Sequence, residues 1–455
     1  MHSDKLNTLE KRTAVSLASV FAIRMLGLFM LMPIMAIYGQ SLEGVSPLWI
    51  GLAIGAYGLT QAAFQIPMGW LSDKYGRRRI IVLGLVIFAI GSVIAGLAED
   101  IVTVTIGRAI QGMGAIASAV LALAADVTRE EQRPKVMAVI GMCIGLSFSV
   151  ALVLGPMVAE TFGLSGVFYL TAVLAIVGIV VVLTLVPNSV TKAKSGEITA
   201  SSSQLFTMMC NRQLLRLDFG VLVLHLMMTS MFIAIPVLFS NSGFLVSDHW
   251  VAYLPILLLS FVFMVPMLII AAKKGQEKQF FLVAIVMLIM ASIGLAIQTD
   301  FTTIIAMLFV FFIGFNFLEA SLPAHVSRIS PAGQKGTAMG VYSSSQFLGA
   351  FFGGITGGYV AETFGFSYLF ASNAALALLW FVFASGMVLP ISSKRVSIPF
   401  EFSDTANAER LIEQICQCAG VIEATLVEDE NRIYLKVDKQ SYDQVSVDQL
   451  VTNFN

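Results

Sequence analysis

Glu319 and His225 are the residues of this sequence best suited to bind and release protons. Each lies inside a long apolar segment. A carboxyl group held away from water binds protons more readily than one in solution, and histidine titrates near neutrality. Either residue could instead be structural, Glu319 as a hydrogen-bonded carboxyl group and His225 as a neutral ring bonded to a carbonyl. The pair therefore predicts a proton-binding site, with Asp218, seven residues before His225, as a further candidate.

A second set of polar residues in apolar segments has side chains suited to contact a small solute. Arg24 lies in the middle of the first such segment, where it could bind an anionic group or pair with another residue of the protein. Buried charges are costly and usually face a cavity or a partner. Four neutral residues could add polar contacts: Gln61, Gln65, Asn316 and Gln346. These five residues are the predicted lining of a substrate cavity.

The elements that must position these residues are membrane-spanning helices. Of the 455 residues, 57% are hydrophobic and 12% are charged, and the mean hydropathy is +0.85. A soluble domain carries about 25% charged residues, so the composition excludes that class. The lipid bilayer is the expected surrounding, and no nucleic-acid partner is expected.

Among the polar breaks between the apolar runs, only every second break contains lysine or arginine. The basic breaks are residues 74–79, 129–135, 192–216, 273–278 and 328–335. The other breaks contain acidic residues and no Lys or Arg: 39–47, 99–103, 159–166, 240–250, 298–302 and 361–367. Because basic loops stay in the cytoplasm during insertion, the alternation predicts repeated crossing of the membrane with both termini cytoplasmic.

The apolar runs predict an all-α polytopic fold with twelve transmembrane helices. They cover about 13–38, 48–72, 79–98, 101–126, 134–159, 165–187, 214–239, 248–272, 279–298, 302–326, 334–361 and 366–390. Each is near the ~20 residues that the hydrocarbon core requires. The predicted organisation is a cytoplasmic N-terminus (1–12), a six-helix half (13–187), a cytoplasmic linker (188–213) and a second six-helix half (214–390).

The two halves repeat one another at an offset of 202 residues. Val158–Gly163 has the same six residues as Val360–Gly365. In the same register, Gly155 matches Gly357. Several matches in one register indicate a duplicated, pseudo-symmetric six-helix unit, and such repeats are typical of secondary transporters.

Residues 396–455 have a soluble composition and predict a small α+β domain. Alternating patterns indicate strands near 396–402, 421–427 and 432–437. Helical periodicity at 404–419 separates the first two strands, a hairpin turn at 428–431 joins the last two, and a last helix follows near 445–451. The order β-α-β-β-α is that of a ferredoxin-like domain, which could dock on the cytoplasmic loops or associate with a second copy. Cys416 and Cys418 lie on different faces of a predicted helix end with no histidine nearby, so no metal site is predicted.

The end of the second predicted span combines glycines and charges at a specific spacing. Gly69 removes a side chain where another helix could approach closely. Asp73 places a carboxylate at the membrane edge, and Gly76 permits a tight turn. Three basic residues can anchor the loop among headgroups or pair with carboxylates: Lys74, Arg77 and Arg78.

This segment resembles motif A of the major facilitator superfamily. The matching positions are Gly69, Asp73, Lys74, Gly76, Arg78 and Arg79. Two other segments are similar to further motifs of that family: Arg108–Gly114 resembles motif B, and Gly145, Gly155 and Pro156 resemble motif C. The resemblance covers residues 13–390 and is to the drug:proton antiporter group.

The resemblance implies two six-helix bundles around a cavity lined by the first, fourth, seventh and tenth spans. It implies that Arg108 takes part in proton transfer. It also places the second span against the start of the eleventh, where Asp73 could accept backbone N–H bonds, with Gly69 and Gly336 or Gly340 allowing close approach. Arg77 could then pair with Asp126.

These contacts lead to the hypothesis of a latch. The latch would hold the two halves together on the cytoplasmic side in the outward-open state. Proton binding near Asp73 or Asp126 would loosen it, so Asp126 is also a candidate for proton coupling.

Three functions are compatible with these patterns. The first is proton-coupled export of small amphipathic or drug-like compounds across the bacterial inner membrane by alternating access. The second is proton-linked transport of a sugar or another metabolite. The third is a membrane sensor or scaffold that acts through residues 396–455. The sequence has no phosphate-binding Gly-x-x-x-x-Gly-Lys-Ser/Thr loop, so ATP-driven pumping is not expected, nor is an enzyme or a cofactor.

Overall fold

Long apolar helices build the first of the two units into which the chain folds. The computed structural model describes residues 7–128, 133–186, 211–297, 300–330, 335–388, 393–399, 405–427, 432–438 and 442–454. The first unit is Met1–Met387 and the second is Val388–Asn455.

The first unit consists of two successive groups of helices. The N-terminal half contains α1 (Thr8–Phe29), α2 (Met32–Tyr38), α3 (Pro47–Tyr75), α4 (Arg77–Gly96), α5 (Ile101–Met113), α6 (Ala117–Val127) and α7 (Arg133–Thr184). The C-terminal half contains α8 (Arg212–Asn241), α9 (His249–Lys274), α10 (Glu277–Ile297), α11 (Phe301–Ile329), α12 (Lys335–Thr363) and α13 (Phe366–Ser385). The predicted linker falls mostly on residues 187–210, which lie outside the described part of the chain.

The helices identify a multi-pass membrane protein. Within the described residues, nine helical stretches are long and apolar enough to cross a bilayer. One of them, Gly145–Thr184, contains Gly163, where a φ of 67° interrupts the helical backbone. The helices α3 and α12 have 29 residues each and contain several glycines and polar side chains.

Some helix boundaries differ from the predicted ones for local reasons. α1 begins at Thr8 rather than 13, because Asn7 and Glu10 form a reciprocal capping box. The predicted span 101–126 is divided into α5 and α6, and Gly114 leaves the helical conformation where its backbone lies against Gly84. α8 begins at Arg212 because the Asn211 side chain accepts N–H bonds from the first turn.

The acidic breaks lie at one end of the helical unit, here called the acidic end. Glu43 donates its backbone N–H to the carbonyl of Glu99 over 3.1 Å and accepts from Ile101 over 3.1 Å, so the first two acidic breaks are bonded together. Glu362 accepts from the backbone N–H of Leu48 over 2.9 Å, which joins the C-terminal half to the N-terminal half at the same end.

Arginines cap helix C-termini at the opposite, basic end. Arg12 donates to the carbonyls of Leu185 (2.9 Å) and Thr184 (3.0 Å), and Arg216 donates to the carbonyl of Gly386. The last carbonyls of a helix carry partial negative charge, so a cation there is stabilising. The alternation of charge in the sequence thus corresponds to the two ends of one bundle.

Two aspartates cap equivalent helices in the two halves. Asp100 accepts from the backbone N–H and the hydroxyl of Thr103 at the start of α5. Asp300 makes the same two bonds with Thr303 at the start of α11. The side-chain bond and then the backbone bond from the threonine lower the pKa of each aspartate, which therefore stays charged at the positive end of the helix dipole.

The two halves touch most closely along α3 and α12 near the acidic end. A Cβ added to Gly51 would overlap the carbonyl oxygen of Gly354, and one added to Gly55 would lie 2.9 Å from the carbonyl oxygen of Phe351. A Cβ on Gly358 would lie 2.6 Å from the carbonyl oxygen of Pro47. Glycine is therefore required for the backbones to approach this closely.

The same two helices separate toward the basic end. Gly69 of α3 has Ser118 of α6 as its nearest neighbour, and nothing in the described part of the chain lies within 4 Å of a Cβ added to Gly340 of α12. The unit is closed between its halves at the acidic end and open between these two helices at the basic end.

The second unit contains a three-stranded antiparallel sheet and two helices. The strands β1 (Ser393–Pro399), β2 (Val421–Val427) and β3 (Arg432–Asp438) have the order β1-β3-β2. The helices are α14 (Thr405–Cys416) and α15 (Gln444–Phe454). One apolar cluster joins them, with Leu411, Ile415, Leu435, Val447 and Val451 at its centre. The predicted turn at 428–431 lies outside the described residues.

We expect the substitution Gly51→Leu to open the acidic end. The larger side chain cannot occupy the space taken by the Gly354 carbonyl, and overpacking of this kind costs about 1–3 kcal/mol. Spin labels on the exposed residues Ser41 and Asn241, one in each half, should therefore move to longer separations.

Gly340→Leu is the matched control, because open space surrounds Gly340 in this state. Its distance distribution should equal that of the parent protein. Equal distributions for Gly51→Leu and the parent would show that the α3–α12 contact does not hold the acidic end closed.

Candidate functional site

Glu319, His225 and Gln346 form a polar cluster in the C-terminal half. They come from α11, α8 and α12 respectively. The Gln346 side-chain nitrogen lies 2.8 Å from His225 Nε2 and donates to Glu319 Oε1 over 3.3 Å. His225 Nε2 is 3.7 Å from Glu319 Oε2. The structure thus brings together the two residues that the sequence identified as proton carriers, with an amide between them.

The other ring nitrogen of His225 decides how the cluster is bonded. Nδ1 lies 3.2 Å from the carbonyl of Val221, one turn earlier in α8, and a carbonyl can only accept. Nδ1 therefore carries a proton, and Nε2 of the neutral ring accepts from Gln346. A proton added to Nε2 would face the Gln346 amide hydrogens, so the amide must turn, and the ring could then pair with Glu319.

Asp218 and Tyr342 extend this carboxylate–histidine cluster. Both side chains are buried, and within the described residues Asp218 Oδ1 and the Tyr342 hydroxyl have no hydrogen-bond partner. Tyr342 interacts electrostatically with both Glu319 and Asp218. Tyr342 was not predicted from the sequence, because a lone tyrosine in a glycine-rich helix forms no recognisable pattern.

Exposure separates the roles that the members of the cluster can take. The Glu319 side chain is 37% exposed, whereas that of His225 is 10% exposed and lies against the Phe315 ring at 6.0 Å. Glu319 is therefore the member of the cluster that is accessible from outside the protein, whereas His225 is shielded by its neighbours.

The arginines predicted for the N-terminal half lie in a separate, buried network. Arg24 donates to Gln61, and the Gln61 amide donates to Gln65 over 2.9 Å. Arg108 donates to the Gln111 side chain over 2.8 Å and to the carbonyl of Ala53 over 3.3 Å. Neither arginine forms an ion pair with any described residue.

The five polar residues predicted to line a substrate cavity bond to different neighbours in this state, and their role as the lining of one cavity stays a prediction. Gln346 belongs to the carboxylate–histidine cluster. Asn316 donates to Ser260 over 2.8 Å, and this bond joins α11 to α9. Arg24 and its two glutamines are enclosed within the N-terminal half, because short polar side chains in an apolar helix bond to one another when they face a neighbouring helix.

The structure forms the predicted pair of Arg77 and Asp126. Arg77 Nε donates to Asp126 Oδ2 over 3.2 Å, and its Nη1 donates to Ser72 Oγ over 2.7 Å. Arg77 also pairs with Asp73, one turn earlier. One guanidinium therefore holds the end of α3, the start of α4 and the end of α6 together.

In this state the neighbour of Gly69 lies in its own half. A Cβ on Gly69 would lie 3.1 Å from Ser118 of α6, so the glycine here serves packing within the N-terminal half, and its approach to α12 stays a prediction. The side chains of residues 335–337 lie outside the described set, so the latch between Asp73 and the start of α12 stays a prediction.

The remaining residues of this loop are held locally. Gly76 has a φ of 101°, as its predicted turn requires. Lys74 lies over the rings of Trp70 (5.2 Å) and Tyr75 (5.3 Å), and Arg78 donates to the carbonyl of Leu183.

The residues that resemble motif C shape the contacts of α7. A Cβ on Gly155 would lie 2.5 Å from the carbonyl of Met30, so this glycine brings α7 onto the end of α1. Pro156 follows within the helix. Gly145 lines an apolar cavity of about 460 Å³ between α7 and α9, together with Leu258 and Phe261.

The second unit contains two free cysteines, Cys416, which is exposed, and Cys418, which is partly buried. In the described part of the chain, no three His, Cys, Asp or Glu side chains gather as a metal site would require. Partial burial, followed by the charges of Asp443 and Cys416, raises the pKa of the Cys418 thiol, which makes it a weaker ligand and nucleophile.

Sequence comparisons connect the chain to known transporters. A family model described as Major Facilitator Superfamily matches residues 17–318 and 249–411. The chain is 41% identical over 454 residues to the inner membrane transport protein YajR of Escherichia coli (strain K12), and the match covers 99% of both chains. It is 24% identical over 390 residues to multidrug resistance protein 2 of Bacillus subtilis (strain 168), covering 82% of this chain and 96% of that protein.

Solved structures share the fold at low sequence identity. A bacterial homolog of the human lysosomal transporter Spinster, in an inward-facing and occupied conformation, matches with a TM-score of 0.68 at 13% identity, covering 84% of this chain and 97% of that one. A D-xylose-proton symporter matches with a TM-score of 0.66 at 14% identity, covering 82% and 97%.

We expect Arg77→Gln and Asp126→Asn to lower the stability of the protein in a coupled way. The two side chains are only 15% and 22% exposed, so removing either partner leaves a poorly solvated charge, at a cost of about 1–2 kcal/mol. The thermal unfolding midpoint in detergent should fall for each variant, and the double variant should lose less than the two single losses combined.

Arg79→Gln is the control, because Arg79 is an exposed arginine of the same loop. Its midpoint should stay within the error of the parent. Strict additivity in the double variant would contradict the pairing of Arg77 with Asp126.

Proposed function

Because the chain belongs to the major facilitator superfamily, we propose that it is a proton-coupled secondary transporter that exports small amphipathic compounds by alternating access. The observation that carries the proposal is the carboxylate–histidine cluster. It places a half-exposed carboxylate, Glu319, within 3.7 Å of a histidine in otherwise apolar surroundings. An ionisable pair in the membrane is costly to maintain and is usually functional.

The charge distribution supports one orientation in the membrane. The basic end is assigned to the cytoplasm and the acidic end to the periplasm, with twelve crossings of the bacterial inner membrane and both termini cytoplasmic. In this orientation the closed acidic end and the separated basic ends of α3 and α12 correspond to an inward-facing state.

The helix α12 connects proton binding to the movement of the halves. Gln346 lies in α12 and donates to Glu319, while Gly354 of the same helix forms the contact with Gly51 that closes the acidic end. Protonation of Glu319 removes the negative charge that attracts the Gln346 amide. The bond that holds α12 in this position is then weaker, and the helix is freer to separate from α3.

The loop around Arg77 serves the opposite, outward-open state in this proposal. Its partners in the described residues all lie in the N-terminal half, so it is available to contact α12 when the basic end closes. Asp73, which is about half exposed, is the group that would accept N–H bonds from the start of α12.

Export of amphipathic compounds is favoured over the other candidate functions. The likeness to multidrug resistance protein 2 extends over most of both chains and supports a drug-like cargo. The D-xylose-proton symporter shares the fold alone, so a sugar or another metabolite is the alternative cargo. A sensor or scaffold is not favoured, because the relatives are named as transport proteins.

The second unit has the element order of a ferredoxin-like domain, and we assign it to the cytoplasm. Its docking on the cytoplasmic loops or its self-association stays a prediction. Its removal should leave at least partial transport, whereas a sensor would lose its output.

Glu319→Gln should abolish proton coupling while leaving the carrier able to exchange its substrate. The amide has the size of the carboxylic acid but cannot bind or release a proton. When a compound from a panel of amphipathic substances is added to proteoliposomes, the pH of the lumen should change with the parent protein and should not change with the variant. Exchange of a labelled compound across the same membrane should continue and become independent of pH.

Glu160→Gln is the matched control, because Glu160 is an exposed glutamate at the acidic end. It should behave as the parent does. Proton movement that persists in Glu319→Gln would remove this residue from the coupling site, and a parent protein that transports no compound of the panel would contradict export of such compounds.

A further inference from the structure

Two buried arginines and a tyrosine form a positively charged cluster in the N-terminal half. Arg24 of α1 and Arg108 of α5 are each 1% exposed, and both guanidinium groups lie against the ring of Tyr57 of α3, at 6.0 and 4.9 Å. The Phe88 ring of α4 lies 5.9 Å from Arg24 on another side. This Arg24–Tyr57–Arg108 cluster is separate from the group of Glu319, His225 and Gln346 and from the loop around Arg77, and the predicted part of Arg108 in proton transfer stays a prediction.

The hydrogen-bonding capacity of the cluster is only partly used. In the described structure Arg24 Nε and Nη1, Arg108 Nη2 and the Tyr57 hydroxyl are buried and make no hydrogen bond of ordinary geometry, although the Arg24 guanidinium lies close enough to the Tyr57 hydroxyl for a weak one. The neighbouring acceptors are already occupied, since Gln61 accepts from Arg24 and Gln111 accepts from Arg108. Several N–H and O–H donors therefore point into the same region without an acceptor at ordinary hydrogen-bond geometry.

The charge of the cluster is not compensated either. No described Asp or Glu pairs with Arg24 or Arg108 or lies close enough to influence either guanidinium. An unpaired cation in a low-dielectric interior is strongly unfavourable, and two beside one ring are more so. Guanidinium groups with free N–H donors match the geometry of carboxylate, sulfonate and phosphate groups.

We propose that the Arg24–Tyr57–Arg108 cluster binds an anionic group, with the two guanidinium groups and the Tyr57 hydroxyl as donors. The group is either the head of an amphipathic organic acid or a free inorganic anion. This inference concerns binding and does not require that Glu319 couples transport to protons.

Access to the cluster is controlled from the C-terminal half. The Phe347 ring of α12 covers Tyr57 at 6.4 Å, and a Cβ on the adjacent Gly58 would lie 2.5 Å from the Phe347 carbonyl. In the state described here the donors are therefore enclosed. Separation of α3 from α12, which rests on the alternating access proposed above, withdraws Phe347 and opens the cluster toward the acidic end.

The test is the thermal unfolding of the purified full-length protein in a neutral detergent with gluconate as the reference anion. The probes are octanoate and octanesulfonate, chloride and phosphate, and octyltrimethylammonium as the cation of matched chain length. Anions that bind the cluster should raise the unfolding midpoint by about 2–5 °C at saturation, because they bind the folded state alone. If the organic acids alone raise the midpoint, the ligand is an amphipathic acid. If chloride or phosphate raises it equally, the ligand is a free inorganic anion.

Arg24→Gln, Arg108→Gln and Tyr57→Phe should remove or reduce the anion-dependent shift. Without an anion, the two glutamine variants should melt no lower than the parent, because each removes an uncompensated buried cation. A purely structural arginine would give the opposite result, with a lower midpoint and an unchanged shift. Arg12→Gln, at an exposed arginine that caps Leu185, should keep the full shift.

The access route has its own measurement. In Gly51→Leu the concentration of anion that gives half of the maximal shift should fall, because that variant favours separation of α3 from α12. The proposal is overturned if the matched cation stabilises as well as the anions do, if no anion stabilises the protein, or if the glutamine variants retain the full shift. None of these outcomes depends on proton coupling, so they are distinct from a failure of the Glu319 experiment.

Discussion

The close approach of α3 and α12 is the contact on which the rest of this structure depends. It requires that two helix backbones touch, and glycines on both sides allow this: Gly51, Gly55, Gly354 and Gly358. Each removes a side chain that would otherwise overlap a carbonyl of the opposing helix. Because the contact runs from the acidic end to the middle of α3, it sets which end of the unit is closed.

The position of α12 links two regions with opposite charge. Phe347 covers Tyr57 in the N-terminal half, and its neighbour Gln346 is bonded to Glu319 and His225 in the C-terminal half. The first region has two arginines without carboxylates, and the second has two carboxylates without a strong cation. Because α12 touches both regions, it can respond to a change of charge in either region. The proposed proton site and the proposed anion site would therefore act on the same helix.

The two halves share packing glycines and helix caps but differ in their buried ionisable residues. Gly155 brings α7 onto the carbonyl of Met30, and Gly357 brings α12 onto Ser230 of α8, so the repeated glycines have the same role in both halves. The aspartate caps of α5 and α11 are likewise equivalent. The buried ionisable residues differ between the halves, and the proposed proton site and the proposed anion site therefore fall in different halves.

The sequence by itself determined the class of protein and the two ends of the bundle, and it named the candidates for proton binding. Apolar length, the alternation of basic and acidic loops and the glycine–aspartate–arginine spacing are local properties of the chain. The pair of Arg77 and Asp126 was predictable because the fold of the family brings their two loops to one membrane surface. Only the tertiary structure decided which polar residues meet. It bonded Gln346 to His225 and Arg24 to Gln61, joined Asn316 to Ser260, placed Gly69 against Ser118 and revealed Tyr57 and Tyr342. The physical reason is that a side chain inside a membrane protein bonds to the groups that lie across the helix interface. The rotation and approach of two helices are set by packing over their whole length, and not by their few charged residues.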